Sequence, residues 1–350
     1  MTTLQTKGTI LLTGGGGFVG GQILREALES GYSVRITARS APSAQRTISH
    51  FPSYPSVLSS AIVPDIQSVE AYEPAFADGA ITHIVHAASP FVLTPEDNVR
   101  DLLNPAIKGA TVVLEAALRY GNGKVKHVVA TSSFASVINI SEGMRVGYTY
   151  TEKDWNPVTW EQAATADGVT AYCASKKLAE RGMWDWMESH RDVGFGLTTI
   201  CPPWVFGPYA GKLESTKSLS ESVQLLNNII DAENVPPFDF GGYADSREVA
   251  SAHVRALEVP GAAGRRFIVG RDYRYQIVVD LAHEAVEKGD LPKEFGNRLP
   301  VGKKGEWVDS YHIDGSEVTR VLGVQYRELR DTVVDTYKQL IQARELEAKA

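Results

Sequence analysis

Apolar residues along this chain fall into short blocks that switch between two periods. Residues 8–13 form a β-branched apolar run; four glycines follow, and residues 18–30 then carry apolar side chains at helical spacing. The pattern predicts a strand, a tight turn and a helix. A second strand is predicted at 34–38, reached through the Gly31 turn, a third at 61–63 and a fourth at 81–88. The fourth is almost continuously apolar, as expected of a strand covered on both faces. A helix is predicted over 99–120, with Pro105 at a first turn or a kink. A fifth strand at 126–131, a long helix at 171–189 and a sixth strand at 196–201 complete the series. Strands alternating with helices imply βαβ units and a doubly wound parallel sheet of the α/β class.

Beyond residue 202 this regularity stops. Residues 202–240 are rich in proline around a polar stretch at 212–221, which reads as a lobe or flap over the sheet. A helix at 246–258 should pack back on the sheet. A strand at 265–269, a helix at 278–288 and a charged, alanine-rich helix at 331–350 follow. At 350 residues the chain exceeds what one core usually organises, so a large domain with a smaller lobe is the natural division.

Composition narrows the function. A net charge of -7 argues against nucleic acid as a partner. The first residues contain no apolar segment of signal-peptide type, and no run of 18 apolar residues suggests a membrane span. Cys173 and Cys201 match neither a disulfide framework nor metal-ligand spacing, and His83, His86 and His253 form no metal constellation. A cytoplasmic protein without a metal is expected, as a monomer or homodimer.

The glycine run carries the first chemistry. Gly14, Gly17 and Gly20 are spaced Gly-x-x-Gly-x-x-Gly between a strand and a helix, the context of a dinucleotide-binding, Rossmann-type turn. Glycines let the backbone approach a pyrophosphate, and the helix start offers free N–H groups. The second strand ends in Ala38-Arg39-Ser40 rather than in the acid that would hold the ribose hydroxyls of NAD. Arg39 can pair with a 2′-phosphate, so NADP (NADPH) is the cofactor favoured. Asp65-Ile66, after the third strand, can contact adenine. The predicted division is a dinucleotide-binding domain of residues 1–201 and 243–259 and a substrate-binding lobe of 202–242 and 260–350.

A second group of residues carries proton chemistry. Tyr172 and Lys176 stand four apart, on one face of a predicted helix. A nearby ammonium should pull the phenol below its reference pKa of about 10 and let it pass protons near neutrality. Ser133 ends the fifth strand, where open α/β sheets place their sites, and its hydroxyl can hold a carbonyl oxygen. Thr131 and Ser132 are neighbouring hydroxyls.

Taken in order, these segments resemble the extended short-chain dehydrogenase/reductases, specifically the NADPH-dependent carbonyl and methylglyoxal reductases related to dihydroflavonol reductase. The resemblance covers roughly residues 8 to 270. It rests on the glycine turn, Ala38-Arg39-Ser40, Asp65-Ile66, His86-Ala87-Ala88-Ser89-Pro90-Phe91, Thr131-Ser132-Ser133, Asp154-Trp155-Asn156-Pro157, Tyr172-Cys173-Ala174-Ser175-Lys176, Trp204-Val205-Phe206-Gly207-Pro208 and the segment from Arg247 to His253. It implies a catalytic trio of Ser133, Tyr172 and Lys176. Gly14, Gly16, Gly17, Phe18 and Val19 would line the pyrophosphate, Arg39 the 2′-phosphate, and Asp65 and Ile66 the adenine. Ala87, Thr131, Pro202 and Val205 would border the nicotinamide end, with Lys176 on its ribose and Ser222 also reaching the cofactor. Two departures stand out: Ser43 replaces a lysine often found four residues after the arginine, and Glu248 replaces an aspartate.

Phe91, Val92, Phe134 and Trp204 flank the predicted reaction centre, so an apolar substrate pocket is expected. The leading expectation is reduction of a ketone or aldehyde to an alcohol, with Tyr172 giving the proton. Nucleotide-sugar epimerases and dehydratases share this architecture but generally recycle NAD, against which Arg39 speaks. A non-catalytic NADP-binding regulator would be expected to lack the tyrosine or the lysine.

Overall fold

The computed structural model describes residues 6–89 and 95–349. Its main sheet has seven strands: β1 (Thr9–Thr13), β2 (Ser33–Ala38), β3 (Leu58–Ile62), β4 (Ile81–His86), β5 (His127–Thr131), β6 (Gly196–Cys201) and β7 (Arg265–Ile268). They lie in the order β7-β6-β5-β4-β1-β2-β3 and every pairing is parallel. Chain order therefore reverses between β1 and β4, and the crevice at their carboxyl ends is where such sheets bind ligands. This is the doubly wound Rossmann-type architecture that the alternation of strands and helices predicts.

Apolar side chains leave both faces of the sheet. On one face Ile10, Leu12, Val34, Ile36 and Val85 join α1 (Phe18–Glu29) and α6 (Ser246–Glu258) in a core that continues without a break into the lobe, through Leu226, Tyr273, Phe295 and Tyr337. On the other face Leu11, Ile84, Val128 and Leu197 pack against α3 (Asn104–Tyr120) and Met183 of α4 (Gly168–Ser189). The remaining long helices are α2 (Ala41–Ser49), α5 (Glu221–Ile229), α7 (Tyr275–Glu287) and α8 (Leu329–Lys349). Three short strands, Trp204–Phe206, Gly242–Asp245 and Arg271–Asp272, form a second sheet beside the main one.

Several elements differ from the sequence expectation for visible reasons. β3 begins three residues before the predicted position because Ser59 and Ser60 are exposed on an edge strand and hide its period. The helix expected from residue 99 begins at Asn104, with Pro105 in its first turn; a wider, π-helical turn over Asn98–Leu103 precedes it, and Asp97 caps that turn. Residues 265–268, expected with the smaller lobe, form the outer strand β7 and pair with Thr198–Cys201. Only Phe267 and Ile268 of that strand are fully buried, so its pattern reads as half polar.

Glu248, noted above as a departure, completes a capping box at α6. Its carboxylate accepts from Asp245 N at 2.9 Å and from Arg271 Nη2 at 3.1 Å, and Asp245 accepts from Arg247 N. The longer acid tethers the second sheet to this helix.

His83, His86, His127 and His253 are buried, and each shares a hydrogen bond with a threonine: Thr82, Thr13, Thr198 and Thr131 respectively. Burial holds each imidazole down at about 4. The native histidines are therefore neutral, whereas in the unfolded chain they protonate at about 6.5. Stability from this source is complete above about pH 6.5 and is withdrawn as pH falls toward 4, by up to roughly 3 kcal/mol per group. Thermal melts across pH should show Tm declining steadily from about pH 6.5 downward. A Tm that stays level down to about pH 4.5 would show that these side chains protonate in place.

Candidate active site

The glycine turn follows β1 directly. Gly14 has a φ of +74°, and a Cβ there would lie 2.7 Å from Ala88 N and 2.8 Å from the carbonyl carbon of Ala87, so only glycine lets the turn sit against the segment after β4. A Cβ on Gly20 would collide with the carbonyl of Gly14. Beyond the turn runs a groove of about 820 Å³. Gly14, Gly16, Gly17, Arg39, Asp65, Ile66 and Ala87 line it, together with Arg46, Lys212 and Tyr209. Among the described residues neither Arg39, Arg46 nor Lys212 makes an ion pair, so three uncompensated cations face one groove. A backbone cradle plus unpaired cations fits a phosphorylated dinucleotide.

Other predicted cofactor residues lie elsewhere. Phe18 and Val19 begin α1 and pack into the core, Phe18 with its ring centroid 4.6 Å from that of Tyr209. Thr131 shares a 2.7 Å hydrogen bond with His253 Nε2 and lines a small space of about 40 Å³ that also holds Lys176 and Ser132. The carbonyl of Pro202 accepts from Phe134 N. Val205 N donates to Ser222 Oγ at 3.1 Å, and Ser222 lines the second cavity rather than the groove. Asp65 accepts from Gln67 N at 2.8 Å, which fixes its loop at the groove wall.

That second cavity, about 460 Å³, lies on the lobe side. Ser133, Tyr172, Phe134 and Trp204 line it, with Cys173, Pro203, Leu219 and Phe240 among its mainly apolar walls. Phe91 and Val92 fall outside the described residues. Leu219, Glu221 and Phe240 come from the irregular lobe, where no periodicity marks them in the sequence.

Local structure presents the trio. α4 starts at the Asp167 cap, whose carboxylate accepts from Val169 N and Thr170 N, and this fixes the rotation of Tyr172 and Lys176 further along the helix. Lys176 Nζ lies 5.2 Å from the centre of the Tyr172 ring and donates to Ser89 Oγ at 2.9 Å, on the groove wall. Ser133 Oγ accepts from Ala135 N at 3.1 Å, capping a single turn over Phe134–Ser136. The three side chains therefore stand where the groove and the cavity meet.

The titration of the trio differs from the sequence expectation. Burial, with smaller contributions from Cys173 and the Glu221 carboxylate, raises the Tyr172 phenol well above its ordinary value instead of letting Lys176 lower it. Burial lowers Lys176 to about 8. Sequence spacing reports the ammonium but not the loss of water, and here the loss of water wins. Burial also pushes the Cys173 thiol up to about 12, so it is a wall and not a nucleophile.

One buried cluster holds this arrangement. Glu180, two turns beyond Tyr172 on α4, accepts from Ser132 Oγ and Ser136 Oγ, both at 2.6 Å, from Thr199 Oγ1 at 2.7 Å and from Arg266 Nε at 2.6 Å. Burial alone would raise its pKa, but Arg266 and the hydroxyls overcome it and keep the carboxylate below its ordinary value. Arg266 stacks 3.5 Å over the Trp155 ring and donates to the carbonyls of Glu152 and Asp154. One carboxylate thus ties α4 to the segment that follows β5, to β6 and to β7.

With this geometry in hand, comparison with known proteins places the chain. It belongs to the NAD dependent epimerase/dehydratase family, whose model matches residues 10–270. Within that family it is similar to the NADPH-dependent methylglyoxal reductase GRE2 of Saccharomyces cerevisiae, 35% identical over 95% of this chain and 98% of that one. The ketoreductase azaE of Aspergillus niger is 32% identical over 95% of this chain and 97% of its own. The crystal structure of yeast methylglyoxal/isovaleraldehyde reductase Gre2 complexed with NADPH superposes with a TM-score of 0.88 at 33% identity, covering 97% and 99% of the two chains. Among the described residues no helix is long and apolar enough to cross a membrane, and no cluster of metal-ligating side chains occurs.

Replacing Glu180 by alanine leaves Arg266 buried without its partner. We expect a loss of roughly 3–5 kcal/mol in unfolding free energy, read from urea denaturation. A loss below about 1 kcal/mol would mean that the cluster is not what holds α4 to the sheet.

Proposed function

We propose that the protein reduces a ketone or an aldehyde to an alcohol with NADPH. The observation that carries this reading is the placing of Ser133 and Tyr172 on one wall of an apolar cavity, with Lys176 beside them and hydrogen-bonded to Ser89 of the dinucleotide groove. When bound, NADPH supplies a hydride to the carbonyl carbon. The chain supplies the rest. The glycine turn and the cations Arg39, Arg46 and Lys212 would hold its phosphates.

Ser133 Oγ accepts one hydrogen bond from the backbone and keeps its own O–H to donate to the carbonyl oxygen. Tyr172 stays protonated at neutral pH because its site is dry, so it is ready to give that oxygen a proton. Lys176, still largely an ammonium at pH 7, stabilises the tyrosinate left behind. The dry cavity raises the donor's pKa at rest, and the amine lowers the barrier to its use. Both cysteines are buried free thiols, which suits a reducing compartment, and we place the enzyme in the cytoplasm as a monomer or homodimer.

Tyr172→Phe should lower turnover of carbonyl substrates by about 10²- to 10⁴-fold while NADPH still binds, as monitored by its fluorescence. Full activity in this variant would remove Tyr172 as the proton donor. Tightly held NAD in the purified protein, with no reduction of carbonyls, would favour the epimerase reading instead.

Arg39→Ala should raise KM for NADPH by about tenfold or more and leave KM for NADH nearly unchanged, since the lost contact is to the 2′-phosphate. Equal effects on the two cofactors would assign Arg39 a structural role.

A further inference from the structure

The substrate cavity is electrically lopsided. Among the described residues lining it there is no lysine, arginine or histidine, and Tyr172 and Cys173 are neutral at physiological pH. The one lining side chain that carries charge is Glu221, in the first turn of α5. Its carboxylate makes no ion pair and no side-chain hydrogen bond among the described residues. It is exposed at the wall, yet near enough to the reaction centre to help raise the Tyr172 phenol. Beside it Ser220 Oγ is buried and makes no hydrogen bond among the described residues.

A carboxylate in the first turn of a helix complements the macrodipole, which accounts for its tolerance there. It does not account for an uncompensated charge on the wall of an otherwise apolar cavity, where the dielectric is lower than in bulk water and its field reaches the substrate. The opposite sign governs the neighbouring groove, with its unpaired cations.

We propose that Glu221 selects substrates by charge: the enzyme favours carbonyl compounds bearing an ammonium near the carbonyl, and disfavours carbonyl compounds bearing a carboxylate. This rests on the carbonyl-reduction reading and adds to it the class of substrate. Glu221 acts as a specificity residue and takes no part in the proton transfer. Solvent screens an exposed carboxylate, so its effect on each charged substrate should be about tenfold rather than thousands.

The test compares 2-aminoacetophenone (cationic), 2-hydroxyacetophenone (neutral) and benzoylformate (anionic) in the native enzyme, in Glu221→Gln and in Glu221→Lys, with NADPH saturating. Each kcat/KM is referred to that of the neutral ketone in the same protein, so intrinsic reactivity cancels when variants are compared. In Glu221→Gln the relative kcat/KM of the amino ketone should fall about tenfold and that of benzoylformate rise about tenfold, chiefly through KM. Glu221→Lys should move both further in the same directions. Reduction of the hydroxy ketone by Glu221→Gln, at whatever rate, shows that the variant is folded, and referring each rate to it cancels any change in the Tyr172 proton step that all three substrates share. Ratios unchanged within twofold in both variants, with the hydroxy ketone still reduced, would overturn the charge-selection role and leave the reductase reading standing. If the native enzyme reduces none of the three or any wider set of carbonyls, the reductase reading falls and this inference with it.

Discussion

A single buried carboxylate organises the catalytic half of this molecule. Glu180 stays ionised inside the protein because Arg266 and three hydroxyls converge on it, from three separate segments of the chain. Ser132 and Ser136 bracket Ser133; Thr199 lies on β6, Arg266 on β7, and Glu180 itself on the helix that presents Tyr172 and Lys176. The serine that would hold a carbonyl and the tyrosine that would protonate it are therefore positioned by the same ion. A buried charge that satisfies all its partners is sensitive to geometry, since any drift leaves a donor or acceptor without a partner in a medium of low dielectric. Such a cluster restricts the relative placement of helix and sheet more tightly than apolar packing alone, which tolerates sliding.

The site then divides by charge and by wetness. The groove along the carboxyl ends of β1 and β2 is polar, edged by Arg39, Arg46 and Lys212, and suited to phosphates. The cavity behind Tyr172 is apolar, with Glu221 as its charged wall residue. Lys176 reaches between them through Ser89. Dryness raises the phenol and depresses the amine together, so burial sets the protonation of both side chains.

Much of this was legible in the residues. The turn from Gly14 to Gly20, the strand ending in Arg39, the Tyr172–Lys176 spacing and the apolar run of β4 depend on local rules, namely backbone freedom, side-chain period and helical repeat, and they fall in the structure where those rules put them. The expectation that failed on physical grounds was the direction of the Tyr172 shift, because spacing reveals a neighbouring charge but not the removal of water. Ser222 lines the cavity and not the groove, and the irregular segment before it offers no register from which to read that in the sequence.

By itself the chain dictated a parallel α/β sheet, a glycine turn between strand and helix, and a tyrosine and a lysine on one helix face, because each is written in residues close together in sequence. Tertiary structure alone decided that Arg266 would reach Glu180, that Lys212 would face the same groove as Arg39, and that Glu221 would look onto Tyr172. Those meetings join residues tens to well over a hundred positions apart. No local period encodes them; they follow from the pairing of β7 beside β6 and from how the lobe packs against the sheet, which together decide which side chains lose water.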